Sequence, residues 1–352
     1  MRILVLPGDG IGPEITAATM AVLDRLNAVH GLGLVFEHDV VGFEALEKFG
    51  STFPPALQEK FPTYDGVILG PNDAAAYPPP EEGGINFSGF TRTKYDLYAN
   101  IRPARTPPGL EAKGGRFDLV TVRELTEGHY SDRNMHKGIA EMMPDPDMAI
   151  SIRKITPKAC ERIARRAFEL AMTRRKLVTA VHKANVLKMT DGLFLEAVQT
   201  VARDFPEVRL ETQLIDAMCA HLVRRPHEFD VIVTTNMYGD IISDLAGELS
   251  GSLGLSGAIM AGDNLCAAQA QHGSAPDIAG RDRANPVSLM LSAAMLLDWL
   301  GGRHGRADLG VAAGSIRDAL DRLLASPVTR TADLGGQMGT AAFGTAVAAA
   351  LT

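Results

Sequence analysis

The apolar positions of this chain fall into short continuous runs separated by longer stretches with helical spacing. "RILVLP" (2–7) is such a run, and it passes through a Gly-rich turn into "PEITAATMAVLDRLNAV" (13–29), where Pro13 suits a first helical position. "GLVFEHDVV" (33–41), "DGVILG" (65–70), "FDLVTVRE" (117–124), "MAISIRKI" (148–155), "KLVTAVH" (176–182), "VRLETQLI" (208–215) and "DVIVTTN" (230–236) read as further strands. Between them "TPKACERIARRAFELAM" (156–172), capped by Thr156, and "TDGLFLEAVQTVARDF" (190–205) read as helices. The tail beyond Pro286 is mostly helical in pattern. This alternation predicts an α/β protein with a largely parallel sheet. The segment "SDRNMHKGIAEMMPDPD" (131–147) lacks a helical period and separates two strands. It reads either as an excursion that meets a partner subunit or as a plain surface loop.

Composition adds bounds. The 352 residues, 46% hydrophobic, suffice for two domains of common size. The net charge of −7 argues against nucleic acid as partner, since "RIARRAF" and "TRRK" are short and read as solvated helix surface. Cys160, Cys219 and Cys266 show no CxxC spacing and fit a reducing compartment. "MRILVLPGDG" is too short an apolar stretch for a signal peptide, and no later run is long enough to span a membrane. A soluble cytoplasmic protein is the expectation.

Several segments carry candidate chemistry. "PGDGIGPE" (7–14) joins a strand to a helix with backbone N–H groups that can face an anion. It is not the GxGxxG dinucleotide pattern, and alone it reads as a turn without a ligand. In "NMYGDIISDLAGELSG" (236–251), Asp240 and Asp244 share one face of a helix that follows a strand end. Paired carboxylates repel unless a cation or arginines lie between them, and oxygen ligands suit Mg²⁺ or Mn²⁺. An acidic helix start favoured by the macrodipole is an equal reading of the same residues. Arg123 and Tyr130 flank one strand end, and Lys183 with Asn185 another. A lysine there is usually a solvated charge, but beside carboxylates in a desolvated site it can move protons. "HGSAPDIAGRDRANP" (272–286) is a loop carrying Asp277, a carboxylate able to accept from a ribose diol. Finally "GGINFSGFTRTKYDLYANIRP" (83–103) places Arg92 and Arg102 near the polar Asn86 and Ser88, an arrangement suited to an anion.

In this order, from "LPGDGIGPE" to "TADLGGQMGTAAFGTAV", these segments resemble the isocitrate/isopropylmalate dehydrogenase family of β-decarboxylating dehydrogenases, which includes homoisocitrate, D-malate and tartrate enzymes. The resemblance implies two α/β domains sharing a large mixed sheet, not a Rossmann fold. A discontinuous cofactor-binding domain would take residues 1–94 and 250–352, and a central domain with the dimer interface residues 95–249. It implies that Arg92, Arg102 and Arg123 clamp the carboxylates of a malate core. Asp240 and Asp244 would bind Mg²⁺ or Mn²⁺ with Asp216 of a neighbouring subunit. Tyr130, Lys183 and Asp240 would be catalytic, Lys183 reaching across from the other subunit of a homodimer with shared active sites. Ile11, His272, Gly273, Ser274, Ala275, Asp277, Ile278 and Asn285 would bind NAD. NADP-using bacterial isocitrate enzymes tend to carry Lys-Tyr where Asp277-Ile278 stand here, so NAD is expected.

Within the family, specificity lies in the malate C3 substituent. Isopropylmalate enzymes present leucines before the first arginine, whereas this chain presents Asn86, Ser88 and Gly89. An isopropyl group would leave their polar atoms unpaired, so a polar or carboxylate substituent, as in isocitrate or homoisocitrate, is expected. Other features point elsewhere. "RELT" is the isopropylmalate form; Tyr77 with Pro78–Pro80 matches neither branch; Gln269 in "AQAQ" (268–271) replaces an expected glutamate, as does His129. 3-Isopropylmalate, D-malate and tartrate activity remain alternatives. So does a non-catalytic regulatory subunit, against which stand the intact Tyr130, Lys183, Asp216, Asp240 and Asp244.

Overall fold

A computed structural model describes residues 1–130 and 140–351. In chain order its strands are β1 (Arg2–Leu6), β2 (Val35–His38), β3 (Gly66–Leu69), β4 (Ala99–Arg105), β5 (Asp118–Glu124), β6 (Glu141–Asp145), β7 (Met148–Ser151), β8 (Leu177–His182), β9 (Arg209–Leu214), β10 (Val231–Thr234), β11 (Ile259–Ala261) and β12 (Cys266–Gln269). The helices are α1 (Gly12–His30), α2 (Phe43–Phe49), α3 (Pro55–Lys60), α4 (Phe87–Lys94), α5 (Pro157–Met172), α6 (Thr190–Ala202), α7 (Ile215–Arg224), α8 (Asn236–Leu249), α9 (Val287–His304), α10 (Ala307–Leu324) and α11 (Thr340–Ala349). No helix among the described residues is long and apolar enough to cross a membrane.

The chain forms two compact units. The first comprises Met1–Thr91, Thr106–Glu111 and Gly251–Thr352, the second Arg92–Arg105 and Ala112–Ser250. In the first unit the strands lie in the order β2-β1-β3-β12-β11. β1 runs parallel to β2 and β3, β12 parallel to β3, and β11 antiparallel to β12. In the second the order is β4-β5-β10-β8-β9, parallel except for β4 against β5. The class is therefore α/β with mixed rather than wholly parallel pairing. The interior strands β3, β8 and β10 are buried along their whole length, which is why they read as unbroken apolar runs.

Local chemistry sets the helix ends. The Thr156 hydroxyl accepts from the Ala159 N–H at 3.4 Å and Pro157 opens α5, so helix and cap begin where the pattern predicts. Helix α1 ends at Gly31, whose left-handed φ of 61 lets its N–H reach the Asn27 carbonyl. In the second unit α5 and α6 cover one side of β5, β8 and β10 through Ile163, Phe168, Phe194 and Val198. Helices α7 and α8 meet Leu119, Val181 and Ile232 through Met218, Leu222, Ile242 and Ala246. This burial fixes α8 against the strand ends that carry the charged site. The predicted strand 148–155 is shorter than expected: β7 pairs with β6 as an antiparallel hairpin, and Lys154 forms a separate antiparallel bridge with Gly128. Of the segment 131–147, residues 131–139 lie outside the described residues.

Candidate active site

Helix α8 starts directly after β10, and the helical period puts Asn236, Asp240, Ser243 and Asp244 toward one side. Two arginines from the neighbouring antiparallel strands meet them. The Arg102 Nη1 of β4 donates to Ser243 Oγ at 2.8 Å, Asp244 Oδ1 at 3.1 Å and Asp240 Oδ1 at 3.3 Å. Arg123 of β5 donates from Nε and Nη2 to Asn236 Oδ1 at 3.0 and 2.6 Å, and from Nη1 to Asp240. The approach is so close that a Cβ on Gly239 would lie 2.6 Å from Arg123 Cγ, so α8 needs glycine there. The Tyr130 hydroxyl donates to Asp240 Oδ2 at 3.4 Å, and the Arg123 guanidinium lies 5.9 Å from its ring centroid.

The electrostatics favour an added anion. Arg123 is only 2% exposed, and burial followed by the nearby Arg102 charge lowers its guanidinium to about 10. Burial acts to raise the Asp240 carboxyl, but Arg123, Arg102 and Arg92 outweigh it and hold the group below its ordinary value. Asp240 is therefore ionised at neutral pH. The Nε of Arg102 is buried and has no partner among the described residues, which leaves a donor for a ligand to satisfy.

A second charged group lies at the end of β8. Lys183 Nζ donates to Asp216 Oδ1 at 2.6 Å, and this bond lowers the Asp216 carboxyl. The Lys183 backbone N–H donates to Asp191 Oδ2. Asp191 is fully buried and paired with Arg153, which also donates to Thr190 Oγ1 at 2.8 Å and Thr235 Oγ1 at 3.1 Å. Among the described residues no group of three or more His, Cys, Asp and Glu is placed to hold a metal ion. Asp216, expected from a neighbouring subunit, is accordingly not grouped with Asp240 and Asp244 among the described residues of this chain. Asn236, Ser243, Asp191 and Arg153 were not anticipated from sequence. For Asn236 and Ser243 the signal was present, because helical spacing places them beside Asp240.

The predicted cofactor segments lie in the first unit. The Ile11 N–H donates to the Ser274 carbonyl at 2.8 Å. Gly10, with φ +58, lies where a Cβ would fall 2.0 Å from that oxygen, so the two loops meet through glycine. Asp277 and Gly273 are exposed, and the Ala275 backbone is left-handed with φ 39. His272 Nδ1 lies 3.0 Å from the Gly273 carbonyl, while its buried Nε2 has no partner among the described residues. An exposed carboxylate, a glycine-lined junction and an orphaned ring nitrogen fit a nucleotide. Asn285 is engaged within the protein, donating to Asp333 at 2.9 Å and accepting from the Val287 N–H at 3.0 Å. The unmatched Tyr77 is anchored as well. Its hydroxyl donates to Asp9, which also accepts from the Phe43 N–H at 2.8 Å and the Asp73 N–H at 3.1 Å.

The predicted substituent residues divide. Asn86 Oδ1 accepts from the Gly89 N–H at 3.0 Å and from Asn72 Nδ2 at 2.8 Å, so this oxygen serves the first turn of α4. Ser88 is 5% exposed and accepts from Gln269 Nε2 at 2.8 Å. It stands one helical turn before Arg92 on α4.

The site is thus a strand-end cluster of arginines and aspartates on an α/β scaffold. The family model described as isocitrate/isopropylmalate dehydrogenase matches residues 2–347, and the chain belongs to this family of oxidoreductases, the decarboxylating dehydrogenases. It is 42% identical to the isocitrate/homoisocitrate dehydrogenase of Thermus thermophilus over 99% of this chain and 98% of that protein. It is 40% identical to the 3-isopropylmalate dehydrogenase of Archaeoglobus fulgidus over 99% of each. The crystal structure of isocitrate dehydrogenase from Methylococcus capsulatus superposes with a TM-score of 0.87 at 36% identity, covering 99% of both chains.

Proposed function

We propose that the protein oxidatively decarboxylates a 3-substituted malate with a polar or carboxylate substituent, of the isocitrate or homoisocitrate kind, using NAD and Mg²⁺ or Mn²⁺. The observation that carries this reading is helix α4, where a buried hydroxyl at Ser88 stands one turn from Arg92. Arg92, Arg102 and Arg123 bind the carboxylates of the malate core, to which the unpartnered Arg102 Nε contributes a donor. Ser88 meets the substituent. Asp240 and Asp244 supply carboxylate oxygens of the type a hard divalent cation takes, and the loops at Gly10 and Asp277 would hold the dinucleotide. Bound there, NAD would supply a hydride acceptor for C2 and the cation a Lewis acid at the C2 oxygen.

The chain's own groups handle the protons. Lys183, once it has passed a proton to an aspartate such as its hydrogen-bond partner Asp216, accepts the proton of the 2-hydroxyl as C2 is oxidised. After the C3 carboxylate leaves as CO₂, Tyr130, whose hydroxyl lies 3.4 Å from Asp240 Oδ2, delivers a proton to C3. The buried Arg153–Asp191 pair positions the Lys183 backbone.

We further propose a homodimer with shared sites. Lys183 and Asp216 pair with each other and not with Asp240 and Asp244, as expected if they complete the site of a second copy. The β6–β7 hairpin carries exposed Met142, Met143, Met148 and Ile150, apolar surface that a partner would cover. The 3-isopropylmalate alternative is supported by the relative from Archaeoglobus fulgidus, and the assay must include its substrate.

The test is NADH formation with Mg²⁺ or Mn²⁺ on isocitrate, homoisocitrate, 3-isopropylmalate, D-malate and tartrate, alongside sedimentation of the protein. A dimer that turns over a tricarboxylate best is expected. A monomer, a preference for NADP, or the highest kcat/KM on 3-isopropylmalate would each contradict its part of the proposal.

A further inference from the structure

We infer that Tyr77 is a positioning residue for the dinucleotide: its hydroxyl latches the loop after β3 onto Asp9, in the glycine turn that meets the cofactor loop. The inference rests on the cofactor reading above and deepens it. Asp9 lies between Gly8 and Gly10 in the turn that joins β1 to α1. Gly10 faces the Ser274 carbonyl on one side, and on the other a Cβ at Gly8 would lie 2.1 Å from the Pro71 carbonyl oxygen. The turn is thus clasped between the cofactor loop and the loop that follows β3. Its backbone is fixed: the Asp9 N–H donates to the Pro71 carbonyl at 2.8 Å, and the Gly12 N–H to the Asp9 carbonyl at 2.8 Å. Asp9 is 6% exposed, and its carboxylate accepts from neutral groups alone. These are the Phe43 N–H at 2.8 Å, the Asp73 N–H at 3.1 Å and the Tyr77 hydroxyl. Among the described residues no lysine or arginine pairs with it.

A carboxylate in this turn opposes a cofactor that carries a diphosphate, unless donors absorb its charge. Two of its three donors are backbone N–H groups. The third is the side chain that matches neither branch of the family. Burial, then the bond to Asp9, pushes the Tyr77 phenol well above its ordinary value, so it stays protonated and donates at neutral pH. The ring meets Phe43 edge-on, with centroids 5.1 Å apart and 81° between the planes, which fixes the direction of the hydroxyl. Past Tyr77 the chain is stiffened by Pro78–Pro80 and rejoins the unit at Thr52. There the Thr52 N–H donates to the Gly83 carbonyl at 2.9 Å, and Thr52 Oγ1 accepts from the Ile85 N–H at 2.7 Å. Among the described residues, the Tyr77 hydroxyl makes the one hydrogen bond from residues 74–82 to anything outside their own loop. Without it this stretch loses its tie to the turn, and the dinucleotide has to order both as it binds.

The test measures Kd for NADH by fluorescence, and KM for NAD and for the acid, in wild type, Y77F, D9A and the double variant. Y77F keeps the ring against Phe43 and removes only the hydroxyl. It is expected to raise Kd for NADH and KM for NAD about 5-fold or more, with kcat and the acid's KM at saturating NAD within about 2-fold. In the D9A background the same substitution should change Kd for NADH by less than about 2-fold, because the acceptor is gone. Should D9A fold poorly, hydrogen exchange takes its place. Amides of residues 73–83 should then exchange about 5-fold faster or more in Y77F, and NADH should restore part of the protection. An unchanged Kd for NADH or unchanged exchange in Y77F, effects that add in the double variant, or equal rises in the two KM values overturn the inference and leave the cofactor reading intact. Wild-type protein that binds neither NADH nor NADPH overturns both.

Discussion

The charged cluster on α8 and the neutral pair of Ser88 and Gln269 hold their polar groups in two different ways. Around Asp240 the contacts are between full charges, and Arg102 and Arg123 are held in place by Asp240 and Asp244. Around Ser88 no full charge takes part, and one amide orients one hydroxyl. Charges are strong and indifferent to what lies beyond a carboxylate, which suits the malate core shared by every substrate of the family. A buried dipole is weaker but discriminates between acceptor and alkyl group, which suits the part that varies. Changes in the first region should scale all substrates together; changes in the second should alter their ratio.

The largest expected effect tests how tightly the charged region is built. Asp191→Ala leaves Arg153 buried without its counter-ion and should destabilise the protein by about 3–5 kcal/mol, read from chemical denaturation. A loss below about 1 kcal/mol would mean that this pair does not anchor Lys183. Arg123→Lys keeps the charge but cannot serve Asn236 and Asp240 at once. Its kcat/KM should fall about 100-fold or more on every substrate by a similar factor; a loss confined to one acid would blur the division between the regions. Gly239→Ala pushes a methyl group into Arg123 and should cost about 1–3 kcal/mol in stability, with a uniform fall in kcat/KM.

The smallest effect concerns pH. Burial lowers the imidazoles of His129, His182 and His272, the first also through Arg153. In such a group the unfolded chain binds more protons between the folded value and the ordinary 6.5, so its contribution to stability is complete above 6.5 and is lost as pH falls. The melting temperature should therefore drop from pH 7 toward pH 5. His182→Gln should flatten this slope in part, and an unchanged slope would show that His182 titrates normally.

The charged region was largely legible in the sequence, because its order is local. Asp240 and Asp244 share a helical face, and Lys183 follows an unbroken apolar strand. Strand β4 was not, since Pro103 and two arginines interrupt its apolar pattern; it lies at the antiparallel side of β5, and its Arg102 was found only as part of an arginine pair. The alanine-rich β12 gave no strand signal either. Gln269 stood out as a departure from a family pattern, but its partner lies 181 residues away, and no local period connects them. Asn86 shows the converse: a polar residue before a helix was read as a ligand group while its oxygen serves the helix start, the more frequent use of asparagine there.

The most direct measurement is a competition. Wild-type enzyme with NAD and Mg²⁺ would be given equal concentrations of isocitrate, homoisocitrate and 3-isopropylmalate, and the initial product ratio would report relative kcat/KM. The polar reading of Ser88 and Gln269 predicts that products of the carboxylate-bearing acids exceed that of 3-isopropylmalate by about 100-fold. A product mixture dominated by 3-isopropylmalate turnover would contradict it.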